Sequence, residues 1–471
     1  MDALRTDLYQ LTMAAGYFHR GLTSAIATCE MFVRRLPHRR RYLLAMGLER
    51  FLRYLDELRF TDEQIAYLGT VPSLRDAMTP AFADYLRRFR FTGEVWAVPE
   101  GTLVFANEPL VRVRAPIVEA QIVETFLLSA VNHATLVASK AARIVHAAGD
   151  AQVMEFGSRR THPDAAVDAA RAAYAAGFVG TSNVEAGMRY GVPVTGTAAH
   201  MWTMAHPSEE AAFEGYVATF PSATILLIDT YDTLRGARRA AAIAGDKLKG
   251  VRLDSGDLLS LSRGVRRILD EAGCPHAKIV ASGDLNEHRI AELRREGAPI
   301  DTYGVGTDLV TSIDAPALGG VYKLVELERD GVTTPIAKFS EGKATFPGAH
   351  QIFRYREEGK LSRDLLALVD ERPDDLHPGV AEPLLQPVLR GGIRIAPAEP
   401  LATVRARSAA SLASLPAELL ALEEPAPSWT GYLPVASRRL VALLEQVRAQ
   451  VQGAAEEMPP SSRMPGEGRG G

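Results

Sequence analysis

TILLIDTYDT (224–233), KGVRLDSGDL (249–258), KIVASGDLN (278–286) and IDTYGVGTDL (300–309) share one grammar: a short apolar run closing on Asp, Ser, Gly or Thr. Asp229, Asp254, Asp284 and Gly306 follow one another at intervals of 25, 30 and 22 residues. Helical patterns fill the gaps. Leu258, Leu261, Val265, Ile268, Leu269 and Ala272 recur at steps of three and four before Gly273, and Ile290 and Leu293 do so before Gly297. Strand, polar tip and helix at this interval make the βα repeat of a parallel sheet or barrel. In such folds the carboxyl ends of the strands carry the chemistry.

Working outward, the rhythm extends upstream. AQVMEF (151–156) reads as a strand, followed by GSRRTHP (157–163) and an Ala-rich helix from Asp164 to Ala176, closed by Gly177. FVGTS (178–182) and VPVTGT (192–197) read as two further strands, the second running into AAH (198–200). Ser208 caps a helix that carries Glu209 and Glu210 in its first turn, where carboxylates suit the dipole. Residues 1–92 read as mainly helical, with apolar steps of three and four over Asp7–Tyr17 and Arg41–Leu58 and an N-cap at Thr61. Residues 93–116 change to short β-rich runs with Pro-Glu-Gly and Asn-Glu-Pro turns, and 117–148 return to a long helix ending at Gly149. After residue 320 two hairpins are expected, turning at Asp330-Gly331 and near Gly359. The division expected is a barrel over 117–320, a second α+β domain assembled from 1–116 and 321–452, and a disordered tail over 453–471, rich in Gly, Pro, Ser and Glu.

Composition bounds the class. Hydrophobic residues make up 47% and charged residues 23% of 471, which excludes an intrinsically disordered chain. A net charge of −4, from 53 basic and 57 acidic side chains, gives no global field to recruit nucleic acid. Two cysteines, Cys29 and Cys274, exclude a disulfide framework or a Cys-built zinc site and fit a reducing compartment. The opening MDALRTDLYQ carries no signal-peptide pattern, and no run of 18 apolar residues occurs. The expectation is a cytoplasmic protein that partners neither membrane nor nucleic acid.

The strand tips carry the candidate chemistry. Glycine beside hydroxyl or carboxylate, in GFVGTS, VTGTAAH, VASGDLN and YGVGTDL, lets backbone N–H groups approach an anion; several such tips around one barrel mouth point to a phosphorylated sugar. Asp229 and Asp254 at successive tips could hold Mg²⁺ or ribose hydroxyls, or simply cap helices. Phe156 with Arg159 and Arg160 suits a planar acid, by stacking and a guanidinium fork. His200 could serve as a base or phosphoryl acceptor; His206, six residues on, finds no acidic or Cys partners for a metal site. RRLPHRRR (34–41) either meets phosphates or forms a solvated loop, the second being the ordinary outcome.

Together the strings TDLYQLTMAAGYF (6–18), EFGSRRTHPDAA (155–166), GFVGTSNV (177–184), VPVTGTAAH (192–200), GVRLDSGDL (250–258), SGDLN (282–286) and YGVGTDLVTS with ALGGVYKLVE resemble the nicotinate phosphoribosyltransferase family. The resemblance runs from about residue 5 to about 345, and more loosely to about 445. It implies the type II phosphoribosyltransferase fold: an irregular α/β barrel plus a discontinuous α+β second domain, in a homodimer with active sites at the subunit interface. It also implies formation of nicotinate mononucleotide and diphosphate from nicotinate and 5-phosphoribosyl 1-diphosphate, with Mg²⁺, and coupling to ATP through a phosphohistidine.

Carried onto this sequence, the resemblance assigns catalytic roles to His200, Asp229 and Asp254, with His200 the phosphorylated residue. Phe156 is to stack on the pyridine ring, with Tyr9 of the other subunit on its second face. Arg159 is to bind the carboxylate or the diphosphate. Arg252 is to contact ribose or diphosphate, Gly283, Gly306 and Thr307 to cradle the 5′-phosphate, and Thr197 to join the substrate contacts. Arg34 or Arg35, again from the other subunit, is a candidate diphosphate contact. Two positions depart from the pattern or refine it. Met201 follows His200 where members usually carry Ser, and Ser182 stands where nicotinamide-specific relatives carry Asp, so the substrate expected is the acid. The rival readings are nicotinamide or quinolinate as substrate, a phosphosugar aldolase, for which none of these tips offers a Schiff-base lysine, and a catalytically inert binding barrel.

Overall fold

The computed structural model describes residues 3–339, 345–425, 429 and 431–456. Its centre is a six-stranded parallel sheet. The strands are Gln152–Glu155, Gly180–Thr181, Thr224–Leu227, Leu248–Leu253, Lys278–Ala281 and Thr302–Val305. Across the sheet they run 180–181, 152–155, 302–305, 278–281, 248–253 and 224–227, every pair parallel. The two outer strands do not pair with each other, so the barrel is open on one side. VPVTGT does not form the expected strand: only Val194 bridges Thr181. Pro193 has no N–H to give to a ladder, and the segment is held instead by its own carbonyl accepting from Thr181 N at 3.0 Å and by Thr195 N donating to Thr181 O at 2.9 Å.

The helices between the strands begin where side chains satisfy their free N–H groups. Asn183, Ser208, Asp232, Asp257 and Asn286 each accept from a backbone N–H of the turn they precede. Thr61 and Gln64 form a reciprocal capping box. The Ala-rich helix Pro163–Ala175 buries Ala166, Val167, Ala169, Ala170, Ala172, Ala173 and Ala175, small side chains that allow a close approach to the neighbouring helix Glu124–Ala148. The long helix expected over 117–148 is two, Ile117–Ile122 and Glu124–Ala148, meeting at Val123. Arg41–Leu58 is not one helix either. Leu43–Leu44 is a strand paired with Leu103–Val104, and the helix begins at Leu48. Both leucines are fully buried, and Leu44 N donates to Ser139 Oγ at 2.9 Å, so tertiary pairing overrides the helical spacing.

A seven-stranded antiparallel sheet lies outside the barrel. Its order is Val332–Pro335, Gly320–Arg329, Ile26–Val33, Pro109–Pro116, Glu94–Ala97, Gln386–Arg390 and Ile393–Arg394. Three strands from before the barrel thus form the middle of this sheet, flanked on each side by two strands from after it. A four-stranded sheet adds Ala381–Pro383, His350–Glu357, Lys360–Leu368 and Val435–Ala436. Both expected hairpins are present, turning at Asp330-Gly331 and at Glu358-Gly359 with positive φ at each of the four.

The basic run 34–41 is not simply solvated. Arg40 is buried against Asp314 at 3.0 Å and donates to Ser312 Oγ, while Arg41 donates to the Glu418 and Glu423 carbonyls and lies over the Trp429 ring. Asp314 also meets Lys140 at 2.9 Å, and Lys140 and Arg143 hold the fully buried Glu287. Charges buried this way need mutual pairing to be tolerated. Of the expected tail, residues 453–456 continue the helix Arg438–Glu456, and 457–471 lie outside the described residues. Among the described residues no helix is long and apolar enough to cross a membrane.

Candidate active site

A cavity of about 450 Å³ opens at the carboxyl ends of the parallel strands, a volume suited to a small substrate. Phe156, Arg159, Ser182, Thr197, Arg252, Asp254, Gly283, Gly306 and Thr307, all marked in the sequence, line it. The centre is Arg252. Its Nε donates to Ser282 Oγ at 2.9 Å, Nη1 to Thr197 Oγ1 at 2.9 Å and Nη2 to Asp254 Oδ1 at 2.8 Å. Ser282 Oγ in turn donates to Asp254 Oδ1. The guanidinium stands 5.8 Å from the Phe156 ring centroid, within cation–π range. One arginine therefore fixes three neighbouring tips and an aromatic face.

Asp254 is shaped by its surroundings. Burial alone would raise its carboxyl, but the hydrogen bonds from Ser282 and Arg252, with the charges of Arg252 and His200, outweigh that and hold it below the usual carboxylate range. Asp229 lies beneath it. Its Oδ2 accepts from Asp254 N at 2.9 Å and from Ser255 Oγ at 2.6 Å. Its Oδ1 is buried with no hydrogen-bond partner, 3.9 Å from His200 Nε2. His200 Nε2 is equally 3.9 Å from Asp254 Oδ2, and its Nδ1 lies 3.2 Å from Thr230 Oγ1. The helix-capping alternative for these two acids fails in a specific way: the caps of the following helices are Asp232 and Asp257. Asp229 and Asp254 are left for other work.

Two glycines are required by close approach. A Cβ on Gly304 would stand 2.4 Å from Phe156 Cδ2, so the ring can approach the strand Thr302–Val305 this closely only because that position has no side chain. Gly283 has φ +94°, and a Cβ there would fall 2.2 Å from the Asp254 carbonyl oxygen. These positions set the floor and one wall of the cavity.

Several expected residues lie elsewhere. His200 and Asp229 sit beside the cavity, joined to it through Asp254, rather than in its lining. Tyr9 is on the helix Leu8–His19, half exposed, its hydroxyl accepting from Gln10 Nε2 at 3.2 Å; neither it nor Arg34 nor Arg35 lines this chain's cavity. Met201, after His200, is exposed. His206 Nδ1 pairs with the Trp202 carbonyl at 2.7 Å, and its ring packs on Trp202, a structural role. The sequence reading passed over Ser282, Ser158, Asp284 and Asp308, which line the cavity, and Asn286, whose Nδ2 donates to Asp308 Oδ2 at 2.9 Å. The signal for Ser158 lies in EFGSRR and for the others in SGDLN and GVGTDL, strings whose reading rests on Phe156, the two arginines, the glycines and one threonine. Among the described residues no three His, Cys, Asp or Glu side chains gather as a metal cluster.

The architecture is that of the type II phosphoribosyltransferases, an incomplete α/β barrel flanked by a sheet drawn from both ends of the chain. Among solved structures, human nicotinic acid phosphoribosyltransferase superposes with a TM-score of 0.80 at 32% identity, over 94% of this chain and 99% of that one. A nicotinate-nucleotide pyrophosphorylase from Pyrococcus furiosus superposes with a TM-score of 0.69 at 25% identity, over 86% and 93%. The family model for the nicotinate phosphoribosyltransferase N-terminal domain matches residues 4–132, and the model for the nicotinate phosphoribosyltransferase family matches residues 151–344. A nicotinate phosphoribosyltransferase of Mycobacterium tuberculosis is 44% identical over 457 residues, covering 95% of this chain and 94% of the relative. One from Bacillus subtilis is 46% identical over 384 residues, covering 79% and 77%. This chain belongs to the nicotinate phosphoribosyltransferase family.

Proposed function

We propose that this chain joins nicotinate to 5-phosphoribosyl 1-diphosphate, releasing diphosphate and nicotinate mononucleotide, in NAD salvage, with ATP hydrolysis coupled through phosphorylation of His200. The observation that carries this reading is the Arg252 array. It places a fixed cation, an ionised aspartate, two hydroxyls and a glycine-lined wall around one cavity, beside an aromatic face.

In this reading Phe156 stacks on the pyridine and Arg159 takes its carboxylate. Ser182 presents no anion to repel that carboxylate. Gly283, Gly306 and Thr307 hold the 5′-phosphate, with Asp229, Arg252 and Asp254 at the ribose and diphosphate. The bond from the anomeric carbon to the diphosphate oxygen breaks through an oxocarbenium-like state, and the pyridine nitrogen forms the new bond from the opposite face. The chain's contribution is placement and charge complementarity, arranged before the substrates arrive. The unpaired Asp229 Oδ1 and the outward Asp254 Oδ2 suit a Mg²⁺ ion carried by the diphosphate, since that ion is commonly held by one or two carboxylates plus substrate oxygens. Such an ion would neutralise the leaving group.

His200 is accessible and has carboxylates of Asp229 and Asp254 near one nitrogen. Transfer of the ATP γ-phosphoryl group to the imidazole releases ADP, and later hydrolysis returns phosphate and free His200. The phosphoryl group would add roughly −1.5 to −2 charge, by analogy with other phosphorylated side chains. The reading includes a cytoplasmic homodimer in which Tyr9 and Arg34 or Arg35 reach the other subunit's cavity. It also includes a division into a barrel over 117–320 and a second domain from 1–116 and 321–452.

The test is direct. Purified chain is incubated with nicotinate, 5-phosphoribosyl 1-diphosphate and Mg²⁺, with and without ATP, and nicotinate mononucleotide is measured. Nicotinamide and quinolinate are added as competitors. Product from nicotinate in preference to both, raised by ATP, supports the reading; preference for either rival pyridine, or no product, overturns it.

A further inference from the structure

Glu155 ends the strand Gln152–Glu155 and is fully buried, yet it does not line the cavity. Its two carboxylate oxygens serve two different loops. Oε1 accepts from Gly157 N, in the turn that carries Phe156, Ser158 and Arg159. Oε2 accepts from Thr181 Oγ1, at the tip that carries Ser182. The connection continues on the far side: Thr181 Oγ1 accepts from Asn183 N at 2.9 Å, and Asn183 Nδ2 donates to Ser158 Oγ at 3.0 Å. Ser182 N donates to the Glu155 carbonyl at 2.9 Å. Side chain, backbone and relay thus close a ring of hydrogen bonds joining two walls of the cavity.

A carboxylate is suited to this place for a definite reason. Both partners donate, and an ionised carboxylate accepts at both oxygens, whereas an amide would turn an NH₂ toward one of them. Burying a carboxylate is costly, and burial pushes the Glu155 carboxyl above its usual range despite these two hydrogen bonds. A group kept at that cost, at the base of the wall but out of the cavity, acts through the residues it holds.

We propose that Glu155 is a positioning residue for pyridine recognition: by clamping the Phe156–Arg159 turn to the Thr181–Asn183 tip it sets the distance between the aromatic face, the guanidinium and Ser182, and so the preference for a pyridine acid over its amide. The proposal rests on the nicotinate reading above. It concerns one co-substrate alone, because the Gly283 and Gly306 tips that face the phosphorylated sugar take no part in the ring of hydrogen bonds.

The experiment compares Glu155→Gln, Thr181→Val and Thr181→Ser with the wild type. It measures KM for nicotinate, KM for 5-phosphoribosyl 1-diphosphate, and the kcat/KM ratio of nicotinate to nicotinamide. Glu155→Gln and Thr181→Val are expected to raise the nicotinate KM about tenfold and lower the acid-to-amide ratio about tenfold, as loss of one hydrogen bond's worth of positioning would. The KM for the phosphorylated sugar should stay within about twofold, and Thr181→Ser should restore wild-type values. A parallel rise in both KM values, or an unchanged acid-to-amide ratio in Thr181→Val, overturns the proposal. Should Glu155→Gln fail to fold, the Thr181 pair decides alone. A wild type that makes no nicotinate mononucleotide overturns the nicotinate reading and this proposal with it. A wild type that makes it, with variants unaltered in selectivity, overturns this proposal only.

Discussion

Arg252 and Arg354 are both shielded arginines on β-strands with an aspartate partner, and they differ in how their valences are used. Arg354, on the strand His350–Glu357, is matched fork to fork: Nε and Nη2 donate to the two oxygens of Asp364 at 2.9 and 2.6 Å, and Nη1 donates to the Leu103 carbonyl at 2.9 Å. Both side chains are almost wholly buried. Arg252 spreads its three nitrogens over three residues of the cavity wall, and the aspartate it shares has an oxygen left over, directed at His200. The first arrangement is closed and holds sheets together. The second is open and holds a surface ready for an anion. Buried charge alone does not mark function here; unspent valence beside a cavity does.

That contrast can be broken by experiment. Arg354→Met leaves Asp364 and Glu108 buried without their cation and is expected to cost about 3–5 kcal/mol, read from chemical denaturation. The nicotinate KM of the folded fraction should not move. A kinetic change without a stability change would erase the distinction. Arg252→Met should do the reverse: kcat/KM falls about a hundredfold, or about 2.7 kcal/mol, with a smaller loss of stability than Arg354→Met. His200→Ala should abolish stimulation by ATP. If that variant still hydrolyses ATP in step with product, the phosphoryl acceptor is another group.

The smallest effect is on pH. The Asp254 carboxyl is held below its ordinary range, so its stabilising contribution is complete above the unfolded-state pKa of about 3.9 and is lost as pH falls through the lower folded value. Denaturation midpoints of wild type and Asp254→Asn should therefore differ by a constant amount above about pH 5 and converge below about pH 4. A gap that widens on acidification would reverse the sign of the argument.

How much of this was legible in the sequence depended on locality. The strand tips were readable because each strand, its polar end and its following helix lie within about 30 residues and obey local rules. The caps at Thr61 and Ser208 and the turns at Asp330-Gly331 and Gly359 were readable for the same reason. Failures came where distant segments decide. Leu43–Leu44 keeps helical spacing but pairs with Leu103–Val104, and Arg40 and Arg41 look like a solvated run but find Asp314 and the Glu418 and Glu423 carbonyls hundreds of residues away. Glu155 escaped because a carboxylate after AQVM looks like the polar end of a strand. Only the two donors converging on it from Gly157 and Thr181 show what it joins.

The interleaved seven-stranded sheet has a consequence for how the protein is made. Ile26–Val33 gains its neighbour Pro109–Pro116 early in synthesis, but its other neighbour, Gly320–Arg329, comes only after the whole parallel sheet has been translated. At roughly 5–20 residues per second, the gap between residues 116 and 320 takes on the order of 10–40 s. For that interval the ribosome carries a strand with an unpaired edge, which is the feature that recruits other chains into aggregates. Glu94–Ala97 waits longer still, because its outer neighbour is Gln386–Arg390, so the nascent chain must be shielded at both edges of this three-stranded core until its carboxyl-terminal strands arrive.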